Sequence, residues 1–103
     1  MTTLLAGDIG GTKTLLALYQ LQAGGELELL RSERYLSADW DDLAPMLGSF
    51  LGDGQPTPAA ACLAVAGPVE AGQAQLTNLH WQLDSSQLAA ATGIERVELV
   101  NDF

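Results

Sequence analysis

The sequence predicts a small mixed α/β domain built on a single sheet. Three short apolar runs support this prediction, at residues 3–8, 60–66 and 97–100. Helical patterns separate these runs, and strands that are separated by helices pair at least partly in parallel. A chain of 103 residues has room for one domain of this kind.

The first third of the chain predicts three strands. Residues 3–8 are apolar and run into glycines, which is typical of a buried strand. Residues 13–21 suit a helix by propensity as well as a strand by length. The turn residues 23–25 and the alternation of acidic and apolar residues at 26–29 decide between the two. We therefore predict a hairpin with strands over 13–21 and 26–35.

The middle of the chain predicts a helix and a central strand. Residues 39–51 have acidic side chains in the first turn, apolar side chains along one face and a proline near the start. A loop over 52–58 follows. The apolar run 60–66 then predicts a central strand that ends in a tight Gly-Pro turn.

The last third predicts a small hairpin, a second helix and a final strand. Residues 69–77, which a glycine interrupts, suit the hairpin. Asp84 or Ser85 caps the helix, and Gly93 ends it. Residues 97–100 are apolar enough to form a last buried strand.

The composition excludes several classes of partner. Thirteen acidic residues against four basic residues give a formal net charge of −9, which repels nucleic acid and anionic lipid. No basic segment precedes the short apolar start, and no apolar stretch reaches the roughly 18 residues that a membrane span needs. We therefore expect a cytoplasmic protein with no nucleic-acid or membrane partner.

Two residues that could carry chemistry are assigned to packing or loops instead. Cys62 is the only cysteine, so it cannot form an internal disulfide, and its place in an apolar run predicts a small buried residue in a reducing compartment. His80 has no Cys, His or carboxylate at ligand spacing, so we expect a loop or packing histidine there.

The segment Gly-Asp-Ile-Gly-Gly-Thr-Lys-Thr at 7–14 is the best candidate for a binding site. Its glycines would let backbone amides approach a phosphate, because a Cβ would hold the phosphate away or forbid a positive φ. Asp8 suits a hydrated Mg²⁺, the hydroxyl of Thr12 suits a phosphate oxygen, and Lys13 is the only lysine. The same pattern also fits an ordinary glycine turn between neighbouring strands.

Spacing separates this segment from two common phosphate motifs. A Walker A loop needs glycine directly before its lysine, where this chain has Thr12. The dinucleotide fingerprint fails at its first interval, between Gly7 and Gly10. A phosphate loop in the turn of a β-hairpin remains.

Three motifs together resemble those of the bacterial glucokinases. Residues 8–12, Asp-Ile-Gly-Gly-Thr, are similar to the first phosphate motif of the hexokinase, actin and heat-shock ATPase superfamily, and the wider segment 5–14 is similar to that of glucokinases. Thr-Asn-Leu-His-Trp at 77–81 and Asn-Asp-Phe at 101–103 occur in the order and spacing of this family.

The resemblance implies a fold and a domain organisation. The fold is an α/β ribonuclease H-like, actin-like ATPase N-terminal lobe, with a five-stranded mixed sheet whose first three strands are antiparallel and with flanking helices. Residues 1–103 would be this lobe of an actin-like sugar kinase, and the C-terminal lobe would lie outside the chain. Related enzymes also suggest a homodimer.

The resemblance further implies an activity: ATP-dependent phosphorylation of glucose to glucose 6-phosphate by the full-length enzyme, with Mg²⁺ on the phosphates. Asp102 would be the catalytic base and would bind the sugar together with Asn101 and Asn78. The residues that would bind the nucleotide are Gly7, Asp8, Ile9, Gly10, Gly11, Thr12 and Lys13, of which Asp8 would hold Mg²⁺ through water. Without the resemblance, Asn101-Asp102 would also suit a plain turn, and Asn78 an amide that closes a loop.

Alternatives to this function remain at the level of sequence. Lys13 is typical of the ROK sugar kinases, whereas the motifs at 77–78 and 101–103 favour a glucokinase. A catalytically silent sugar or nucleotide sensor could retain the same glycine loop. A small P-loop domain would need a helix directly after Lys13. We expect the isolated chain to be inactive because the second lobe is missing.

Overall fold

The computed structural model describes residues 2–52, 55–76 and 79–102. These residues form two sheets, two α-helices and a short 3₁₀ turn. In chain order the elements are β1 (Thr3–Ile9), β2 (Lys13–Leu21), β3 (Leu27–Leu36), the 3₁₀ turn (Ser37–Asp39), α1 (Leu43–Leu51), β4 (Ala60–Val65), β5 (Val69–Glu70), β6 (Gln73–Leu76), β7 (Trp81–Asp84), α2 (Ser85–Thr92) and β8 (Arg96–Asn101).

The larger sheet has five strands in the order β3-β2-β1-β4-β8. Strands β1, β2 and β3 are antiparallel neighbours, whereas β4 and β8 add in parallel to β1. Parallel strands need a crossover connection, which contains α1 between β3 and β4 and α2 between β4 and β8. The predicted mixed sheet, with its first three strands antiparallel, is confirmed.

A second, smaller sheet was not predicted. Strands β5, β6 and β7 form it in that order, all antiparallel. The hairpin predicted within 69–77 is confirmed as β5 and β6, but β7 is new. Its four residues bury Trp81 and Leu83 against the core. A run this short is too weak a periodic signal to predict a strand, so the expectation of a single sheet was wrong.

The two helices begin and end where short-range chemistry places them. The carboxylate of Asp42 accepts a hydrogen bond from the N–H of Leu43 (2.7 Å), so α1 starts four residues later than predicted. Pro45 then lies in the first turn, where its missing N–H costs no helical hydrogen bond. The helix α2 matches the prediction, with Asp84 as the cap and Gly93 at φ 77° as its end.

The core lies on one face of the five-stranded sheet. Leu5, Ile9, Leu16 and Leu63 of the sheet are buried there, and the apolar sides of both helices and of the small sheet contribute to the same cluster. The larger members from outside the sheet are Leu43, Met46, Leu47, Phe50, Leu76, Trp81, Leu83, Leu88 and Ile94. Within the described residues, no helix is both long and apolar enough to cross a bilayer.

The other face of this sheet is largely open, which overturns two predictions about burial. Cys62 is exposed rather than buried, because side chains alternate along β4 and its neighbours Leu63 and Ala61 take the covered side. β8 is an edge strand, and only Leu99 is buried in it, so residues 97–100 are not the buried strand that their apolar character suggested.

Candidate active site

The ends of the parallel strands bring two of the predicted segments, the glycine turn and Asn101-Asp102, to one edge of the sheet. Ile9, Val65 and Asn101 are aligned across β1, β4 and β8. The segments that follow these three residues therefore leave the sheet side by side, at the carboxyl edge where α/β proteins place ligands. Two strand spacings separate β1 from β8, about 9–10 Å. The glycine turn and Asp102 thus lie at the same edge.

The turn between β1 and β2 is a tight hairpin that leads directly into a strand. The N–H of Gly10 donates to the carbonyl of Lys13 (3.0 Å). Because β2 begins at Lys13, the P-loop alternative, which required a helix there, is excluded. The turn therefore has the hairpin geometry that the motif spacing left open.

Gly10 is required because another part of the backbone lies very close to it, and not because it has an unusual backbone angle. A Cβ on Gly10 would lie 2.8 Å from the carbonyl oxygen of Lys13, and the φ of Gly10 is outside the left-handed region. The expectation that a positive φ would explain the glycines is therefore wrong at this position. The absence of a side chain matters because backbone meets backbone here.

Ser37 holds two carbonyl groups of this turn. Its N–H donates to the carbonyl of Thr12 (2.9 Å), and its hydroxyl donates to the carbonyl of Gly10 (2.7 Å). Within residues 2–52, 55–76 and 79–102, the N–H groups of Gly11 and Thr12 donate no hydrogen bond. Two backbone donors are therefore available to a ligand at the turn.

The remaining residues of the predicted nucleotide site differ in what they can offer. Gly7 lies within β1 and makes room for packing, since a Cβ there would meet Leu63 at 2.8 Å and Leu16 at 3.1 Å. The side chain of Ile9 is fully buried, so only its backbone is available to a ligand.

Three side chains beside the turn are open to solvent: Asp8, Thr12 and Lys13. A hydroxyl and an ammonium group close to available backbone N–H groups suit a phosphate.

The structure is compatible with Mg²⁺ brought by a nucleotide, but not with a ready-made metal cage. Among the described residues, no group of three or more His, Cys, Asp or Glu side chains gathers to hold a metal ion. Mg²⁺ usually keeps several waters and takes one or two carboxylates besides phosphate oxygens. The exposed carboxylate of Asp8 next to the turn fits that smaller role.

The end of β8 is tied to the turn that follows β4. The N–H of Asp102 donates to the carbonyl of Val65 (3.1 Å), and the side-chain amide of Asn101 donates to the carbonyl of Gly67 (2.6 Å). The carboxylate of Asp102 is exposed. The backbone at Asp102 is thus held in place while its side chain stays accessible.

A cleft of about 790 Å³ opens next to these turns. Gly11 lines it from the glycine turn, Gly67 and Pro68 line it from the turn after β4, and the small sheet supplies most of the rest. The polar side chains that the small sheet contributes are Glu70, Gln73, Gln75 and Gln82. The side-chain amide of Asn101 is bonded to Gly67, one of the residues that line the cleft.

Comparison with known proteins bears directly on this arrangement. The glucokinase family model matches residues 5–103 of the chain. The chain belongs to the glucokinase family.

Individual relatives agree with the family match. A glucokinase of Nostoc punctiforme is 47% identical in an alignment 104 positions long, which covers 100% of this chain and 30% of that protein. A glucokinase of Pectobacterium atrosepticum is 34% identical over 99 residues, covering 96% of this chain and again 30% of the relative. The chain thus spans about a third of the length of the curated relatives that it matches.

Solved structures of glucokinases have the same fold. A glucokinase from an Antarctic psychrotroph superposes with a TM-score of 0.87 at 36% identity, covering 100% of this chain and 33% of that one. A glucokinase from Balamuthia mandrillaris, solved in complex with glucose, gives a TM-score of 0.67 at 26% identity over 98% of this chain and 30% of that one. The predicted resemblance and the predicted actin-like fold are confirmed.

Membership of the glucokinase family leaves the roles of individual residues as predictions. Asn78 lies outside the described residues, so its predicted part in the sugar site has no structural counterpart. Gly67 and Pro68 were noticed as a turn but not assigned to the site, although they line the cleft. Ser37 gave no signal in the sequence, because a single serine after a strand has no distinctive spacing.

The glutamines of the small sheet were also missed. Gln73 and Gln75 alternate with the buried residues Ala74 and Leu76 along β6. This alternation could have shown that one face of the hairpin is polar, but not that it borders a cleft.

Proposed function

We propose that the full-length protein containing this chain transfers the γ-phosphoryl group of ATP to the 6-hydroxyl of glucose, giving glucose 6-phosphate and ADP. The single observation that carries the proposal is the placement of the glycine turn and Asp102 at one edge of the sheet, in a chain of the glucokinase family. Relatives named as glucokinases, one of them solved with glucose, support the choice of substrate.

The glycine turn binds the phosphates of ATP in this proposal. The N–H groups of Gly11 and Thr12 donate to phosphate oxygens, and the exposed side chains of Thr12 and Lys13 add a hydroxyl and a positive charge. Asp8 holds Mg²⁺ through water. The metal ion neutralises charge on the phosphates, which is its ordinary part in phosphoryl transfer.

Asp102 is the general base at the other end of the site. Its carboxylate takes the proton of the sugar 6-hydroxyl as that oxygen attacks the γ-phosphorus, with ADP as the leaving group. The bond from the Asp102 N–H to Val65 fixes the backbone from which this carboxylate projects. Asn101 and Asn78 bind neighbouring sugar hydroxyls, and the glutamines along the cleft offer further donors and acceptors.

The wider setting completes the proposal. Residues 1–103 act as the N-terminal lobe, and a second lobe closes over sugar and nucleotide, so the isolated chain has no appreciable kinase activity. The enzyme works in the cytoplasm at the first step of glycolysis, as a homodimer without nucleic-acid or membrane partners. The net charge of −9 supports the exclusion of those two partners.

The proposal is tested by replacing the base in the full-length protein. With ATP and a panel of hexoses in a coupled assay, Asp102→Ala should lower kcat about 10²–10⁴-fold and change the apparent sugar affinity only modestly. Glu98→Gln, an exposed acidic residue on the same strand, is the matched control and should keep wild-type kinetics. Wild-type turnover in Asp102→Ala would show that Asp102 is not the base, and sugar binding with no phosphoryl transfer in the wild type would favour the sensor instead.

A further inference from the structure

We propose that Ser37 is a positioning residue that aims the backbone of the glycine turn at the phosphates of the nucleotide. This inference rests on the proposed function, because it assigns a role in nucleotide binding to a residue outside the turn. Ser37 follows β3 and is fully buried. It reaches the turn through both its backbone and its side chain.

The direction of each hydrogen bond follows from counting protons. The hydroxyl of Ser37 has one proton, and it is donated to the carbonyl of Gly10 (2.7 Å), since a carbonyl can only accept. The hydroxyl of Thr14, which is 2.9 Å from that of Ser37, must therefore be the donor between the two. A relay of buried hydroxyls thus runs from Thr14 through Ser37 to Gly10.

This relay sets the orientation of the peptide between Gly10 and Gly11. In a trans peptide, the carbonyl of one residue and the N–H of the next point in opposite directions within one plane. Holding the carbonyl of Gly10 towards Ser37 therefore turns the N–H of Gly11 away from Ser37. That N–H is one of the two with no acceptor in the described parts of the chain, and Gly11 lines the cleft.

The turn needs such an anchor because of its own composition. Two adjacent glycines allow a close approach to a phosphate, but glycine has more backbone freedom than any other residue. The peptide joining Gly10 to Gly11 has this freedom on both sides. A second bond, from the N–H of Ser37 to the carbonyl of Thr12 (2.9 Å), restrains the far side of the turn. Ser37 thus restricts the backbone freedom that the two glycines introduce.

The inference predicts a selective loss of nucleotide binding in the full-length protein. Ser37→Ala should raise the KM for MgATP about three- to tenfold, the usual effect of losing one hydrogen bond, and leave the KM for glucose within about twofold. Thr14→Val keeps the volume and removes only the donor to Ser37. Since Ser37 still donates to Gly10, this variant should raise the KM for MgATP only about two- to threefold.

Thr92→Ala is the matched control. The hydroxyl of Thr92 also donates to a carbonyl, that of Leu88 (2.7 Å), and accepts an N–H, that of Ile94 (3.2 Å), but it does so at the end of α2. The variant should lower Tm to a similar extent as Ser37→Ala and leave both KM values unchanged.

Each outcome decides the matter. The positioning role is overturned if the KM for MgATP is unchanged in Ser37→Ala. It is also overturned if Ser37→Ala and Thr92→Ala raise the KM for MgATP and the KM for glucose to the same extent. Either result leaves the proposed kinase activity standing. If Ser37→Ala does not fold, Ser37→Cys decides, because its thiol is a much weaker donor to the carbonyl of Gly10, and an unchanged KM for MgATP there overturns the role. A wild type that phosphorylates no hexose overturns the proposed function, and the role of Ser37 with it.

Discussion

The two hairpin turns of the large sheet both contain a pair of glycines, yet they use them differently. In the turn between β1 and β2, a Cβ on Gly10 would meet a backbone carbonyl at 2.8 Å, and Ser37 ties two carbonyls of the turn. In the turn between β2 and β3, Cβ atoms on Gly24 and Gly25 would meet no described atom within 4 Å.

The second turn is closed by its own backbone and by a side-chain bond from the amide of Gln22 to the carboxylate of Glu28, with no residue from outside the hairpin in these bonds. The N–H of Gln22 donates to the carbonyl of Glu26 (2.8 Å), and the N–H of Gly25 donates to the carbonyl of Gln22 (3.0 Å). Its glycines are exposed, and Gly25 has a φ of 88°. The comparison teaches that glycine has two uses in these hairpins. In the β2–β3 turn it permits a left-handed backbone angle, whereas in the β1–β2 turn it makes room for a neighbouring backbone carbonyl, and a residue outside the turn holds the backbone in place.

The largest expected effect comes from filling the crowded turn. Gly10→Ala should lower the free energy of unfolding by about 1–3 kcal/mol, because the new methyl group must displace the carbonyl of Lys13. It should also lower kcat/KM for MgATP at least tenfold, which corresponds to about 1.4 kcal/mol of lost transition-state stabilisation. Urea unfolding and steady-state kinetics of the full-length protein measure the two effects. Wild-type kinetics in this variant would show that the turn does not bind phosphate.

A smaller effect is expected at the glycine with a left-handed backbone. Gly25→Ala should destabilise the protein by about 1 kcal/mol, because an L-residue at φ 88° is strained. The kinetics should stay at wild-type values, since the second turn has no part in the site. A change in the KM for MgATP would remove the functional difference between the two turns. Gly25→Asn, which tolerates this backbone region better, should recover part of the lost stability.

The smallest effect on stability is expected at Gly24, next to Gly25. Gly24→Ala should change the free energy of unfolding by less than about 0.5 kcal/mol, because a methyl group there would enter open space and the φ of Gly24 is not positive. Thermal unfolding of Gly24→Ala beside Gly10→Ala gives the sharpest form of the comparison, since both replace a hairpin glycine by the same residue. Equal destabilisation of the two variants would contradict the difference in crowding.

Predictions from sequence were accurate where short-range patterns decide the structure. The strand over Lys13–Leu21, the cap at Asp84 and the end of α2 at Gly93 all depend on residues that are close together in the chain. The start of α1 was placed too early, because the acidic residues before Asp42 resemble a first helical turn equally well. Which acidic residue caps the helix depends on the backbone geometry at the helix start, and composition does not show that geometry.

Predictions about burial were wrong where burial depends on whether another element packs against that face of the sheet. Cys62 and Val100 lie in apolar runs, but both face the side of the sheet that the described helices leave open. Apolar character shows that a strand can be buried on both faces, not that something packs there.

The sequence by itself determined the three strands of the first third of the chain, the hairpin that contains the glycine turn and the position of Asp102 at the end of a strand. Periodicity and turn chemistry act over a few residues, so these features can be inferred locally. Only the tertiary structure decided that Ser37 meets Gly10, that Asn101 meets Gly67 and that a second sheet borders the cleft. Each of these depends on residues far apart in the chain, whose approach is set by packing and strand register rather than by local pattern.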